Sequence, residues 1–134
     1  MDNSFLGPEE QETKRIVDAL YEAYFDGDAR AMIDLMSDDV WIRFLGREDF
    51  RGKSRAREFF TQNNPMLEEL NFEIDKLIID GTHAAAVWSE TARTIHGNSY
   101  ENHGVDVFEV GDGQIVSIHE NNDINVHRSH FGRS

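Results

Sequence analysis

The chain has 134 residues, 39% hydrophobic and 29% charged, and its 26 Asp and Glu against 13 Lys and Arg give a formal net charge of −13. That length suits one compact domain with a core of its own, the apolar content excludes a disordered chain, and the negative field repels phosphate backbones and anionic lipid headgroups, so nucleic acids and membranes are not expected partners. With no cysteine there is no disulfide framework, thiolate nucleophile or Cys-based zinc site; without a signal-peptide pattern or an apolar run near the roughly 20 residues that span a bilayer, a cytoplasmic location is expected.

Residues 1–10 read as a flexible leader, 11–124 as a single domain and 125–134 as a C-terminal tail. From Gln11 to Phe25, the residues Ile16, Val17, Leu20, Tyr21, Tyr24 and Phe25 recur on one helical face, with Pro8 suited to a first turn. Asp26, Gly27 and Asp28 stop this helix, and Asp28 can cap a second, short one running through Met36. Val40 to Leu45 predicts a strand. Arg51 to Ser54 lead into a third helix from about Arg55 to Gln62, closed by Asn63, Asn64 and Pro65.

The second half changes to a two-residue period. Leu70 to Ile79 alternates, Asp80 and Gly81 turn, and His83 to Ile95 forms a long strand. His96 to Ser99 make the next turn, Tyr100 to Val110 runs back, Gly111 to Gly113 turn again, and Gln114 to Ile124 is the last strand. Helices followed by antiparallel strands predict an α+β domain with the helices covering one face of a sheet. In the last strand Val116, Ile118 and Ile124 share a face with Glu120 and Asn122, which brings a carboxylate to the apolar side. Such a group is costly to bury unless paired, hydrogen-bonded or protonated. In the long strand hydrophobicity does not separate the two faces, and the one carrying Trp88 and Glu90 is taken as inner. In the returning strand Gly104, Asp106, Phe108 and Val110 oppose His103, Val105, Val107 and Glu109, with apolar residues on both sides.

Three segments carry a family resemblance: FDGDARAMIDLMSDDVWIRF (25–44), RGKSRAREFF (51–60) and VDVFEVGDGQIVSIHENND (105–123). With the order of elements over nearly the whole chain, they resemble the SnoaL-like branch of the nuclear transport factor 2-like superfamily. The resemblance implies a cone-shaped barrel, in which three N-terminal helices pack on a strongly bent, mainly antiparallel sheet. The last segment is similar to the end of limonene-epoxide hydrolase and ketosteroid isomerase relatives, whose final strand sends alternate side chains into a deep pocket.

By correspondence with the epoxide hydrolases, the two carboxylates that activate water and protonate the epoxide become Glu90 and Glu120. The Arg that bridges them becomes Trp88, and the water-holding positions become Trp41 and Arg43. By correspondence with ketosteroid isomerase, Asp106 stands at the oxyanion-hole carboxylate, Arg43 replaces the proton-moving Asp, and Leu20 lies about where the oxyanion-hole Tyr would be, near Tyr21 and Tyr24. The resemblance thus implies catalytic roles for Glu90, Glu120, Asp106 and Arg43, and a substrate-binding wall of Trp41, Trp88, Phe108, Asn122, Tyr24 and Leu20. Against this stand plainer readings: Glu90 on a solvated strand face, Asp106 at a sheet edge, Arg43 in a surface ion pair. The six His show no metal-ligand spacing, so neither a metal nor another cofactor is expected.

The function expected is general acid and base catalysis on a small, largely apolar organic molecule by cyclisation, isomerisation, dehydration or epoxide opening. The alternative is a non-catalytic module of the same fold that binds a small ligand or associates. A homodimer through the sheet is expected under either, because Val105 and Val107 would otherwise leave an exposed apolar patch.

Overall fold

The computed structural model describes residues 6–44, 49–62 and 67–122. The first helix, α1 (Pro8–Phe25), starts earlier than its apolar periodicity alone suggests. Pro8 suits the first helical turn, where no amide hydrogen bond is lost, and Glu10 reaches back to accept from the Gly7 amide at 3.4 Å. Gly27, at φ 69°, turns the chain out of α1 in the left-handed region that glycine tolerates. Asp28 then caps α2 (Ala29–Asp34), its carboxylate accepting from the Ala31 amide at 3.0 Å.

This second helix ends sooner than expected, because the sheet captures the chain at Leu35: its carbonyl accepts from the Ile115 amide at 2.8 Å. Met36 therefore opens β1 (Met36–Phe44) rather than closing a helix. A two-residue strand that periodicity does not reveal, β2 (Phe50–Arg51), pairs antiparallel with β1 and leads into α3 (Lys53–Gln62). The remaining strands are β3 (Leu67–Asp80), β4 (His83–Thr94), β5 (Ser99–Gly111) and β6 (Gln114–Asn122). Their order in the sheet is β2-β1-β6-β5-β4-β3, with β1 and β6 parallel and every other pair antiparallel. Among the described residues, no helix is long and apolar enough to cross a membrane.

Three helices on a six-stranded sheet make the expected α+β cone. Its core joins Ile16, Val17 and Leu20 of α1 to Val40 and Ile42 of β1, Ala84 and Ala86 of β4, Phe108 of β5 and Ile118 of β6. Each large side chain enclosed there contributes about 2 kcal/mol through removal from water. The alanines of β4 leave room for α1, which packs across β3, β4 and β5. On β4 the inner face is the one carrying Trp88. On β6 the simple alternation fails near the start: Glu109 lies opposite Ser117 while Val110 lies opposite Ile115, so Val116 is an extra residue in a bulge. Ile115 rather than Val116 consequently enters the core, and the alternation resumes with Ile118, Glu120 and Asn122 facing inward.

Candidate active site

Asp106 lies opposite both Ala86 of β4 and Glu120 of β6, so the inner residues of three strands meet there. Its carboxylate is held by two donors. Tyr21 of α1 gives its hydroxyl to Oδ2 at 2.5 Å, and the Trp88 indole N–H gives to Oδ1 at 3.0 Å. Burial nevertheless wins over these bonds and pushes Asp106 up from 3.8 to about 6. The Tyr21 hydroxyl is driven far above its ordinary value, first by burial and then by Asp106 beside it, so it acts here as a donor and stays protonated. Trp88 stands at the position where the epoxide hydrolase correspondence expects a bridging Arg, and it supplies one directed N–H without a charge.

Glu90 lies one inner position beyond Trp88 on β4, opposite Asn102 of β5. Burial raises its pKa; the hydrogen bond from Tyr100 opposes that rise, and the nearby Asp106 adds to it. Glu120 accepts from the Asn122 side-chain amide at 3.3 Å, and Asn122 Oδ1 is buried without a hydrogen-bond partner among the described residues. Tyr24 of α1 is 40% exposed and meets Phe72 edge-on at 5.5 Å, and its hydroxyl pKa is raised by burial and then by Glu90, Glu120 and Asp106. Glu90, Asp106, Glu120, Trp88, Asn122 and Tyr24 thus converge on the inside of the cone.

Four other expected residues stand elsewhere. Val40 and Ile42 are the buried positions of β1, so Trp41 and Arg43 point to the outer face of the sheet. Trp41 donates to Asp49 at 2.6 Å, meets the His119 ring edge-on at 4.5 Å and lies under the Arg51 guanidinium at 4.6 Å. Arg43 is exposed opposite His119. Neither reaches the carboxylates, because the two-residue period sends Trp41 and Arg43 to the side opposite Ile42. Phe108 (1% exposed) and Leu20 (4%) are inner residues but belong to the closed core, where Phe108 meets Tyr21 edge-on at 5.8 Å. They support the site from behind.

Three participants escaped the sequence reading as site residues: Tyr21, Tyr100 and Asn102. Tyr100 and Asn102 alternate in phase with Asp106 along β5, which is the signal that could have found them. Phe72 of β3 closes the front, stacking on Trp88 at 5.3 Å and on Tyr21 at 5.9 Å. Two clefts open beside this screen. One, of about 660 Å³, runs between α1 and β3 past Lys14, Asp18, Tyr21, Phe25, Ile74 and Leu77. The other, of about 320 Å³, is lined by Tyr24, Phe25, Leu70, Asn71 and Phe72. The carboxylates line neither cleft, but Tyr21 and Tyr24 connect the cleft surfaces to them.

A family model described as the SnoaL-like domain matches residues 17–118. No curated protein matches the chain by sequence. Among solved structures, a protein assigned as a SnoaL-like polyketide cyclase from Jannaschia sp. CCS1 superimposes with a TM-score of 0.82 at 15% identity, covering 96% of each chain. An epoxide hydrolase from M. tuberculosis similar to limonene-epoxide hydrolase gives 0.77 at 20% identity over 94% of each chain. A protein assigned as an isomerase from Bacillus subtilis gives 0.81 at 17% identity, over 96% of this chain and 98% of that one. At these identities the structural likenesses establish the fold, and the activities named are those of the neighbours. By the span of its matching model, the chain belongs to the SnoaL-like domain family.

Proposed function

We propose that the protein is a cytoplasmic, cofactor-independent enzyme that moves protons on a small, largely apolar organic molecule through Glu90, Asp106 and Glu120. The reaction is of the cyclisation, isomerisation, dehydration or epoxide-opening type. The observation that carries this reading is the convergence of three carboxylates on the inner face of the cone, one of them titrating at about 6. A core that served stability alone would replace such groups with apolar ones. Glu90 and Glu120 are the proton carriers, while Asp106, held by Tyr21 and Trp88, takes up charge near neutral pH. The unpaired Asn122 Oδ1 offers an acceptor to a substrate hydroxyl or amine. Phe72 and Tyr24 form the aromatic front that keeps water out and faces the substrate. Arg43 has no part in this scheme, because it lies on the other side of the sheet.

The outer face supports a second element of the proposal, a homodimer through the sheet. Ile78, Ala85, Val107 and His119 follow one another across β3, β4, β5 and β6, with Val87 and Val105 in the next row. Ile78 and Val107 of this band are exposed in the single chain.

The test is turnover of a panel of epoxides, enones and linear polyketide-like ketones by the full chain and by Glu90→Gln and Glu120→Gln. Each substitution keeps the shape and removes the proton carrier, and a loss of about a hundredfold in kcat is expected for an essential one. Wild-type rates in both variants overturn the mechanism. Tight ligand binding with no turnover by the wild type favours the non-catalytic module.

A further inference from the structure

We propose that Tyr100 and Asn102 are positioning residues for Glu90, forming a one-way chain of hydrogen bonds that begins at the backbone and ends by aiming the Tyr100 hydroxyl proton at the Glu90 carboxylate. The inference rests on the reading of Glu90 as a proton carrier and adds the device that orients it.

The direction of the chain follows from donor and acceptor inventory. The His103 backbone N–H donates to Asn102 Oδ1 at 2.8 Å, which decides which end of the Asn102 amide is oxygen. Asn102 Nδ2 then points to the Tyr100 hydroxyl oxygen and donates to it at 3.1 Å. A hydroxyl that accepts there carries its own proton elsewhere, and Glu90, hydrogen-bonded to Tyr100, is an acceptor in place for it. Both relay side chains are enclosed, Tyr100 at 2% and Asn102 at 5% exposure, so water does not compete for these bonds. Two-residue alternation along β5 puts Tyr100 and Asn102 on the inner face, and the register sets Asn102 opposite Glu90.

Among the described residues, burial and Asp106 work against the charge of Glu90, and the Tyr100 hydrogen bond favours it. Tyr24 of α1 and Asp106 of β5 both couple to Glu90, and Glu120 of β6 acts on Tyr24 and Tyr100 in the same space. Phe72, opposite Glu90 on β3, gives it no donor. Tyr100 itself is pushed up to about 12, mainly by burial, and so keeps the proton it donates. The relay makes Glu90 an oriented acceptor, distinct from Asp106, which has donors of its own.

The experiment is a substrate-free titration of the full chain labelled with ¹³C at the Glu side-chain carboxyls, with the Glu90 signal assigned through Glu90→Gln. In Tyr100→Phe the acid dissociation constant of Glu90 should fall about tenfold, the size expected for losing a hydrogen bond to a charged group. In Asn102→Ala the Tyr100 hydroxyl is free to rotate, and the shift should have the same sign and be smaller. An unchanged Glu90 titration in a folded Tyr100→Phe protein overturns the relay. If that variant does not fold, Asn102→Ala decides alone, and no shift there overturns it equally. Because the titration needs no turnover, it stands apart from the kinetic test: wild-type activity in Glu90→Gln would sink the catalytic reading while the titration still reports on the relay.

Discussion

The Tyr21 hydroxyl donates to Asp106 at 2.5 Å, tying the C-terminal half of α1 to the middle of β5 across 85 positions of sequence. The same carboxylate takes the Trp88 indole N–H from β4, so one buried acid fastens a helix to two strands. Asp106 is costly to bury charged and costly to strip of either donor. That tension makes the site addressable by single substitutions.

Tyr21→Phe removes one donor and leaves Asp106 with Trp88 alone. The carboxylate should then titrate above its present value of about 6, because a bond that favours the charged form has gone while the burial remains. The loss in stability at pH 7 should be about 1–3 kcal/mol, read from urea denaturation midpoints at unchanged slope. A pKa for Asp106 that stays put would mean that the Tyr21 contact does not govern its ionisation.

Asp106 also sets a sign for stability against pH. Its folded pKa of about 6 lies above the ordinary 3.8, so the native state binds more protons than the unfolded chain between these values. Its contribution is fully present below about pH 4 and is lost as pH rises through about 6. Asp106→Asn removes the titration and adds an offset that does not vary with pH. Relative to wild type, the variant should therefore gain roughly 2.4 kcal/mol between pH 4 and pH 7. Chemical denaturation of the two proteins at both pH values measures this, and parallel pH profiles would show that Asp106 titrates at its ordinary value.

The fold and the site were legible to different degrees. Apolar spacing in Ile16, Val17, Leu20 and Tyr21 revealed α1, and the turns at Gly81, Gly97 and Gly113 marked off the strands of the second half. Glu90, Asp106 and Glu120 share the inner face because a two-residue period places a side chain once the strand's buried face is known. The bulge at Val116 was not legible, since an extra residue in one strand is defined only by its partner. In β1, family correspondence assigns Trp41 and Arg43 to the pocket, whereas the local alternation of Val40, Ile42 and Phe44 says the reverse, and the structure follows the local pattern. Tyr21 was hidden for another reason: an amphipathic helix shows which face is inward but not which strand residue meets it 85 positions later.

Gly104 leaves no room for a side chain. A Cβ built there would stand 2.2 Å from the Asn121 carbonyl oxygen and 2.5 Å from Trp88 Cζ2. The carbonyl belongs to the sheet and cannot move aside, and the indole is held by Asp106 and Phe72. Gly104→Ala should cost about 3 kcal/mol or more and disturb the near-ultraviolet circular dichroism of Trp88. Gly97→Ala is a useful contrast, since nothing lies within 4 Å of its added Cβ and its φ of 86° makes backbone strain the only cost. A fully stable Gly104→Ala protein with an unaltered spectrum would mean that Trp88 does not rest on Gly104.

The proposed dimer can be broken without touching the inner face. Val107 is 37% exposed on the outer side of β5, flanked in register by Ala85 and His119, while its neighbours Asp106 and Phe108 point inward. Val107→Glu should be nearly neutral for an isolated chain, because a surface substitution away from packed atoms costs within about 0.5 kcal/mol. In a dimer joined through this face, the same change would bury unpaired carboxylates in an apolar interface, where each costs several kcal/mol. Sedimentation velocity at micromolar concentration should show wild type as a dimer and Val107→Glu as a monomer with unchanged far-ultraviolet circular dichroism. Arg43→Ala, on the same side, should leave turnover unchanged, because Arg43 lies on the face of the sheet opposite to Glu90, Asp106 and Glu120. A monomeric wild type would refute the dimer, and a turnover loss in Arg43→Ala would require the outer face to communicate with the cone.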